Sequence, residues 1–156
     1  MDGDADFLRL AIELAVESAA TDGGPFGAVV VLEGAVVGRG TNRVTADGDP
    51  TLHAEVVAIR DACRRVGHHH LPGAVLYAST EPCPMCFGAA YWSRIDRIVF
   101  GADRNDAAAV GFDDAEIHAD VCTPPAERVL LTERLELEEA KHPFAAWEAN
   151  PSRTMY

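Results

Sequence analysis

Apolar residues recur at helical spacing early in the chain. Phe7, Leu8, Ile12, Leu14, Ala15 and Val16 stand against Arg9, Glu13 and Glu17. The stripe predicts a helix from Asp4 to Ala20, with Asp4 or Asp6 as its cap. Thr21-Asp22-Gly23-Gly24-Pro25 stops it with strong turn chemistry. Two apolar runs follow, Ala28 to Leu32 and Ala35 to Gly40, and the Glu33-Gly34 pair between them predicts an antiparallel hairpin. A polar loop from Thr41 to Pro50 then leads into a second helix, Leu52 to Val66, which Gly67 closes.

His68-His69-His70 reads as a solvated connection, because no partner motif accompanies it. Val75 to Ser79 is a short unbroken apolar run, suited to the middle of a sheet. Thr80-Glu81-Pro82 turns into a third helix, Cys83 to Ser93, with Glu81 expected to cap it and support the cysteine loop. Arg97 to Phe100 is expected to be a strand and Val129 to Leu131 the last one. Between them, Asn105 to Asp120 is mixed, its helical pattern interrupted by Gly111-Phe112-Asp113-Asp114. Leu135 to Trp147 holds the final helix, with Pro143 near a start. Helices and strands alternating after a hairpin imply an α/β fold, a three-layer α/β/α sandwich around a mixed sheet. Without repeats or a linker, residues 1–156 are expected to form a single domain.

Composition changes this picture in two ways. The 156 residues are 48% hydrophobic and 24% charged, ordinary for a soluble protein, and no apolar run approaches the roughly 18 residues of a membrane span. An acidic start (Asp2, Asp4, Asp6) is unlike a signal peptide. Four cysteines, two of them in one motif, offer no disulfide framework. A cytoplasmic location is expected. The formal charge of -12, from 25 acidic and 13 basic residues, opposes binding to a phosphate backbone. A small uncharged or cationic substrate is favoured, with neither nucleic acid nor membrane as partner.

The candidate chemistry lies in His53-Ala54-Glu55 and Pro82-Cys83-Pro84-Met85-Cys86. One imidazole and two thiolates make three of four positions of a tetrahedral zinc site, and an open fourth position is what a catalytic zinc requires. A redox CxxC pair would not need the upstream His and Glu. A structural zinc would want a fourth Cys or His nearby, and Cys63 and Cys122 are isolated. Glu55, two residues past the His, can move a water proton without binding the metal. Both segments are expected at helix N-termini, whose partial positive charge favours thiolates and carboxylates.

With these residues in view, the chain resembles the zinc nucleobase deaminases of the cytidine-deaminase fold, whose signature is H-x-E…P-C-x-x-C. Within them it is most similar to the bacterial guanine deaminases. That closer likeness rests on Pro25-Phe26-Gly27-Ala28-Val29, Asn42, Asp49-Pro50-Thr51, Tyr91-Trp92, Gly111-Phe112-Asp113-Asp114, the Phe144/Trp147 segment and a terminal Tyr156. The resemblance implies five strands, one Zn2+ per chain on His53, Cys83 and Cys86, and conversion of guanine to xanthine and ammonia. It assigns proton transfer to Glu55 and a second shuttle to Asp114, with Asp113 the alternative. It places Phe26, Asn42, Ala54, Trp92 and Tyr156 at the nucleobase substrate. It also implies a homodimer that exchanges its C-terminal segments, so that Tyr156 closes the partner's site. Cytosine, a guanosine-type nucleoside and an amino-triazine remain alternative substrates. A tRNA adenosine deaminase shares the metal motif, but the net charge of -12 counts against it.

Overall fold

The computed structural model describes residues 3–156. Four strands form one sheet in the order β2-β1-β3-β4: β1 (Gly24–Leu32), β2 (Ala35–Asn42), β3 (Val75–Thr80) and β4 (Arg97–Ala102). β1 pairs antiparallel with β2 and with β3, and β3 pairs parallel with β4. The sheet is therefore mixed. The expected hairpin forms, and its turn residues Glu33 and Gly34 both have positive φ, at 51° and 76°, the conformation of the two-residue turns that match strand twist. β3 lies in the middle, as its unbroken apolar run implied.

Helices cover both faces. On one, Val29 and Val31 of β1 and Tyr77 of β3 pack with Phe7 and Ala11 of α1 (Asp4–Ala19). On the other, Ala28, Val30 and Leu76 pack with Ala54, Ala58, Ile59 and Ala62 of α3 (Ala54–Val66) and Ala90 of α4 (Pro84–Trp92). Alternate residues of one strand thus feed two cores, as the two-residue period of a strand dictates. Gly40 on β2 permits a close approach to α3, since a Cβ there would stand 2.1 Å from the Ala54 carbonyl oxygen. That contact sets the start of α3 against the sheet.

Several local expectations are corrected. The sheet has four strands rather than five. Residues 129–131 pair with no strand, because the Asp120 carboxylate takes the Val129 and Leu130 N–H groups at 2.8 and 3.0 Å. The polar loop holds a short helix, α2 (Val44–Asp47), and the mixed region resolves into α5 (Arg104–Ala109) and α6 (Ala115–Val121). Neither Asp4 nor Asp6 caps α1; Gly3 occupies that position, and Asp4 bonds to Tyr77 and Arg97 instead. The last helix, α7 (His142–Ala149), follows a 3-10 turn at Glu138–Lys141. Every residue from 133 to 156 is exposed.

Candidate active site

Two helix starts carry the ligands. His53 is the residue before α3, held by turns upstream: Asp49 Oδ1 accepts the Thr51 N–H and hydroxyl at 2.8 and 2.7 Å, and the Thr51 carbonyl accepts the His53 N–H at 2.9 Å. Cys83 is the residue before α4, where Pro84 at the first helical position loses no backbone bond. Cys86 lies one turn further on and is fully buried.

The three ligand atoms form a nearly equilateral triangle. His53 Nδ1 lies 3.5 Å from each sulfur, and the sulfurs are 3.6 Å apart. Tetrahedral zinc with bonds of about 2.3 Å to sulfur and 2.0–2.1 Å to nitrogen separates such atoms by roughly 3.6 to 3.8 Å. The residues fit the metal: His53, Cys83 and Cys86 form a candidate zinc site, consistent with one zinc per chain. Electrostatics agree. Contacts with Cys86 and with His53 pull the Cys83 thiol down to about 4, so it is the first to become a thiolate. The Cys83 contact raises His53 in turn. Contact with Cys83, and burial, push Cys86 up.

Glu55, on the first turn of α3, is 8% exposed. Its Oε2 accepts the Cys86 thiol at 3.4 Å, and desolvation pushes its carboxyl above the ordinary range. Burial favours the protonated form, so this carboxyl can hold a proton beside the metal site.

Glu55, His53 and Cys83 open onto a cleft of about 620 Å³. Phe26 and Asn42 line it. Phe26 meets Phe112 edge to face at 4.9 Å, so the Gly-Phe-Asp-Asp turn supplies part of the wall. Asn42 is buried, and its Oδ1 accepts the Val44 N–H at 3.2 Å, leaving its amide NH2 for a ligand. Asp113 and Asp114 both line the cleft, but they are bonded differently. Asp113 Oδ1 accepts the Ala115 N–H at 2.9 Å, whereas Asp114 Oδ2 meets His118 Nε2 at 3.1 Å.

Three of the sequence candidates lie elsewhere in the chain. Trp92 and Tyr156 sit against one another, ring centroids 5.7 Å apart, in a second hollow formed with Val56, Ile59 and Arg60 of α3. That hollow is not the metal cleft. Ala54 is fully buried, with its side chain in the core under α3. Glu81 does not cap α4; its Oε2 accepts the Arg104 N–H at 3.1 Å, joining β3 to α5 at the cleft wall. Phe112, Thr80 and Arg104 were missed as cleft residues. Phe112 alone carried a signal, as the aromatic beside the acidic pair. The histidine run gathers its rings, but His68 Nδ1 already accepts the His70 N–H at 2.9 Å.

Residues 1–102 match the family model described as the cytidine and deoxycytidylate deaminase zinc-binding region. The chain is 45% identical over 151 residues to the guanine deaminase of Bacillus subtilis, covering 96% of this chain and 97% of that one. The crystal structure of that enzyme superposes with a TM-score of 0.95 at 44% identity and covers 99% of each chain. The tRNA-specific adenosine deaminase of Agrobacterium fabrum is 43% identical over 104 residues, 67% of this chain and 68% of its own. The solved guanine deaminase of Nitrosomonas europaea gives a TM-score of 0.69 at 34% identity, over 74% of this chain and 67% of that one. Fold and ligand set together define a zinc-dependent hydrolase acting on carbon–nitrogen bonds. The chain belongs to the cytidine and deoxycytidylate deaminase family.

Proposed function

We propose that this chain, acting as a single deaminase domain, hydrolyses guanine to xanthine and ammonia. One observation carries the reading furthest. Asp114, beyond the zinc-binding region at residues 1–102, lines the same cleft as Glu55. The likeness to the Bacillus subtilis guanine deaminase continues through that region, whereas the match to the tRNA deaminase spans 67% of the chain.

Zinc held by His53, Cys83 and Cys86 would supply Lewis acidity, bringing the pKa of a bound water down to about 7. Glu55 accepts a proton from water and delivers it to a ring nitrogen. As the remaining hydroxyl adds to the carbon bearing the amine, Asp114 takes that hydroxyl's proton and passes it to the amine. The C–N bond then breaks, the C–OH becomes a carbonyl and ammonia leaves as a neutral molecule. The Asn42 amide donates to an acceptor on the base edge, and Phe26 offers a face for stacking, worth roughly 1–3 kcal/mol per base. The cleft also has room for a guanosine-type nucleoside, and cytosine or an amino-triazine would meet the same groups.

The working unit is read as a homodimer with exchanged C-terminal segments, in the cytoplasm. Supporting exchange, Leu130, Leu131, Leu135, Phe144 and Met155 are all exposed in the single chain. So large a set of apolar side chains marks a surface that another protein covers. Tyr156 lies outside its own metal cleft, which leaves the partner's cleft as the one it would close. Trp92 and Ala54 are kept as substrate contacts on the resemblance alone. The four cysteines are unpaired, in keeping with a reducing compartment.

The test is xanthine formation by the parent and by Asp114→Ala. The variant should lose kcat with its zinc intact, since the proton it gives matters in the transition state. A variant as fast as the parent would remove Asp114 from the mechanism.

A further inference from the structure

Asp114 begins α6 at the position where an Asp normally turns back to cap its own helix. It makes no such bond. Asp113 accepts the Ala115 N–H, and Asp114 Oδ2 meets His118 Nε2 one turn along α6. The His118 side chain is 31% exposed and that of Asp114 19%. Asp114 lines the cleft while His118 stands behind it.

Resting on the proposed role of Asp114, we propose that His118 is a positioning residue for that carboxylate. An aspartate side chain at a helix start is drawn to nearby backbone N–H groups. The first turn of α6 offers such donors, which would swing Asp114 away from the cleft. A His118 Nε2–H donated to Oδ2 competes with them and holds the carboxylate where it is. Oδ1 then remains available to the amine of the substrate. A bond to a charged acceptor is stronger than a neutral one, so one imidazole is enough to decide between two nearby rotamers. His118 touches neither substrate nor reacting atoms; it acts through Asp114. The i,i+4 spacing on α6 makes the pair visible in sequence only once Asp114 is known to begin that helix.

Steady-state kinetics on guanine with the zinc-loaded full chain tests this with His118→Gln and His118→Leu. The two replacements are of similar size, and Gln alone keeps an N–H that reaches Oδ2. His118→Leu should lose about tenfold in kcat with KM within about twofold, the pattern of a group that matters in the transition state. His118→Gln should recover to within about threefold of the parent, and Asp114→Ala/His118→Leu should be no slower than Asp114→Ala alone. Zinc content and Tm should match the parent in each. Equal kcat for the Leu and Gln variants overturns the proposal, and so do additive losses in the double variant. A loss of Tm or zinc in step with activity in both single variants assigns His118 to the scaffold and overturns it too. If Asp114→Ala is itself as fast as the parent, the role of Asp114 fails first and takes this inference with it. A slow Asp114→Ala beside an unimpaired His118→Leu sinks only the inference.

Discussion

Tyr156 rests on Trp92, ring centroids 5.7 Å apart, on the outer side of α3 and α4 and away from the metal cleft. If the tail instead closes a partner's cleft, complementation will show it. Chains carrying Glu55→Ala, co-expressed with chains lacking Tyr156, form heterodimers in which one site has an intact Glu55 and a partner's intact Tyr156. Activity should return in the heterodimer although each parent homodimer is impaired. No recovery in isolated heterodimers would mean that each tail serves its own site.

Two helix starts and the core hold the ligand triangle. Cys83→Ala should therefore lose zinc, from about one per chain to near none, together with activity. Metal analysis beside an activity assay checks this. Full zinc occupancy in the variant would contradict the ligand assignment.

Glu55 is near the ligands but not among them. Glu55→Ala should keep its zinc and its fold while the rate falls by at least ~10²-fold. Removing a carboxylate from so buried a position carries little stability cost, so Tm should not drop. Near-normal turnover would leave the proton transfer without its carrier.

Asp4 ties α1 to the sheet. Its carboxylate receives Arg97 through two N–H bonds of 2.8 and 2.7 Å and the Tyr77 hydroxyl at 2.7 Å. The Arg97 bonds, and then the Tyr77 bond, hold its carboxyl at about 2, below the ordinary 3.8. A carboxylate depressed in this way stabilises the fold fully above its unfolded value, and that stability is lost as pH falls through its folded value. Asp4→Asn should lower the urea midpoint at neutral pH, and the gap to the parent should close between pH 3.8 and about 2. A gap that stays constant down to pH 2 would contradict the tie.

What could be read in the sequence was whatever local spacing controls. The Glu33-Gly34 turn, the unbroken run at Val75 and the His-x-Glu and Cys-x-x-Cys spacings each state their geometry within a few residues. What could not be read depends on partners distant in the chain. Val129 to Leu131 looks like a strand, yet the Asp120 carboxylate takes the N–H groups that a neighbouring strand would have used. Glu81 looks like a helix cap because it precedes Cys83, but Arg104 claims it from across the cleft. Trp92 and Tyr156 were placed by resemblance beside the substrate, and a motif does not say which copy of the chain a tail serves. Asp113 and Asp114 differ in which of them bonds the Ala115 N–H, a matter of rotamer that residue type leaves open.

The central claim is that the metal cleft turns over guanine. Its most direct test is ammonia release by the zinc-loaded protein across guanine, cytosine, adenine, guanosine and an amino-triazine, with kcat/KM determined for each. Guanine should be preferred over every other compound by at least about tenfold, with xanthine formed in equal amount to ammonia and the activity abolished in Glu55→Ala. Preference for cytosine or a triazine, with Asp114→Ala harmless, would contradict it and leave the cleft to a different ring.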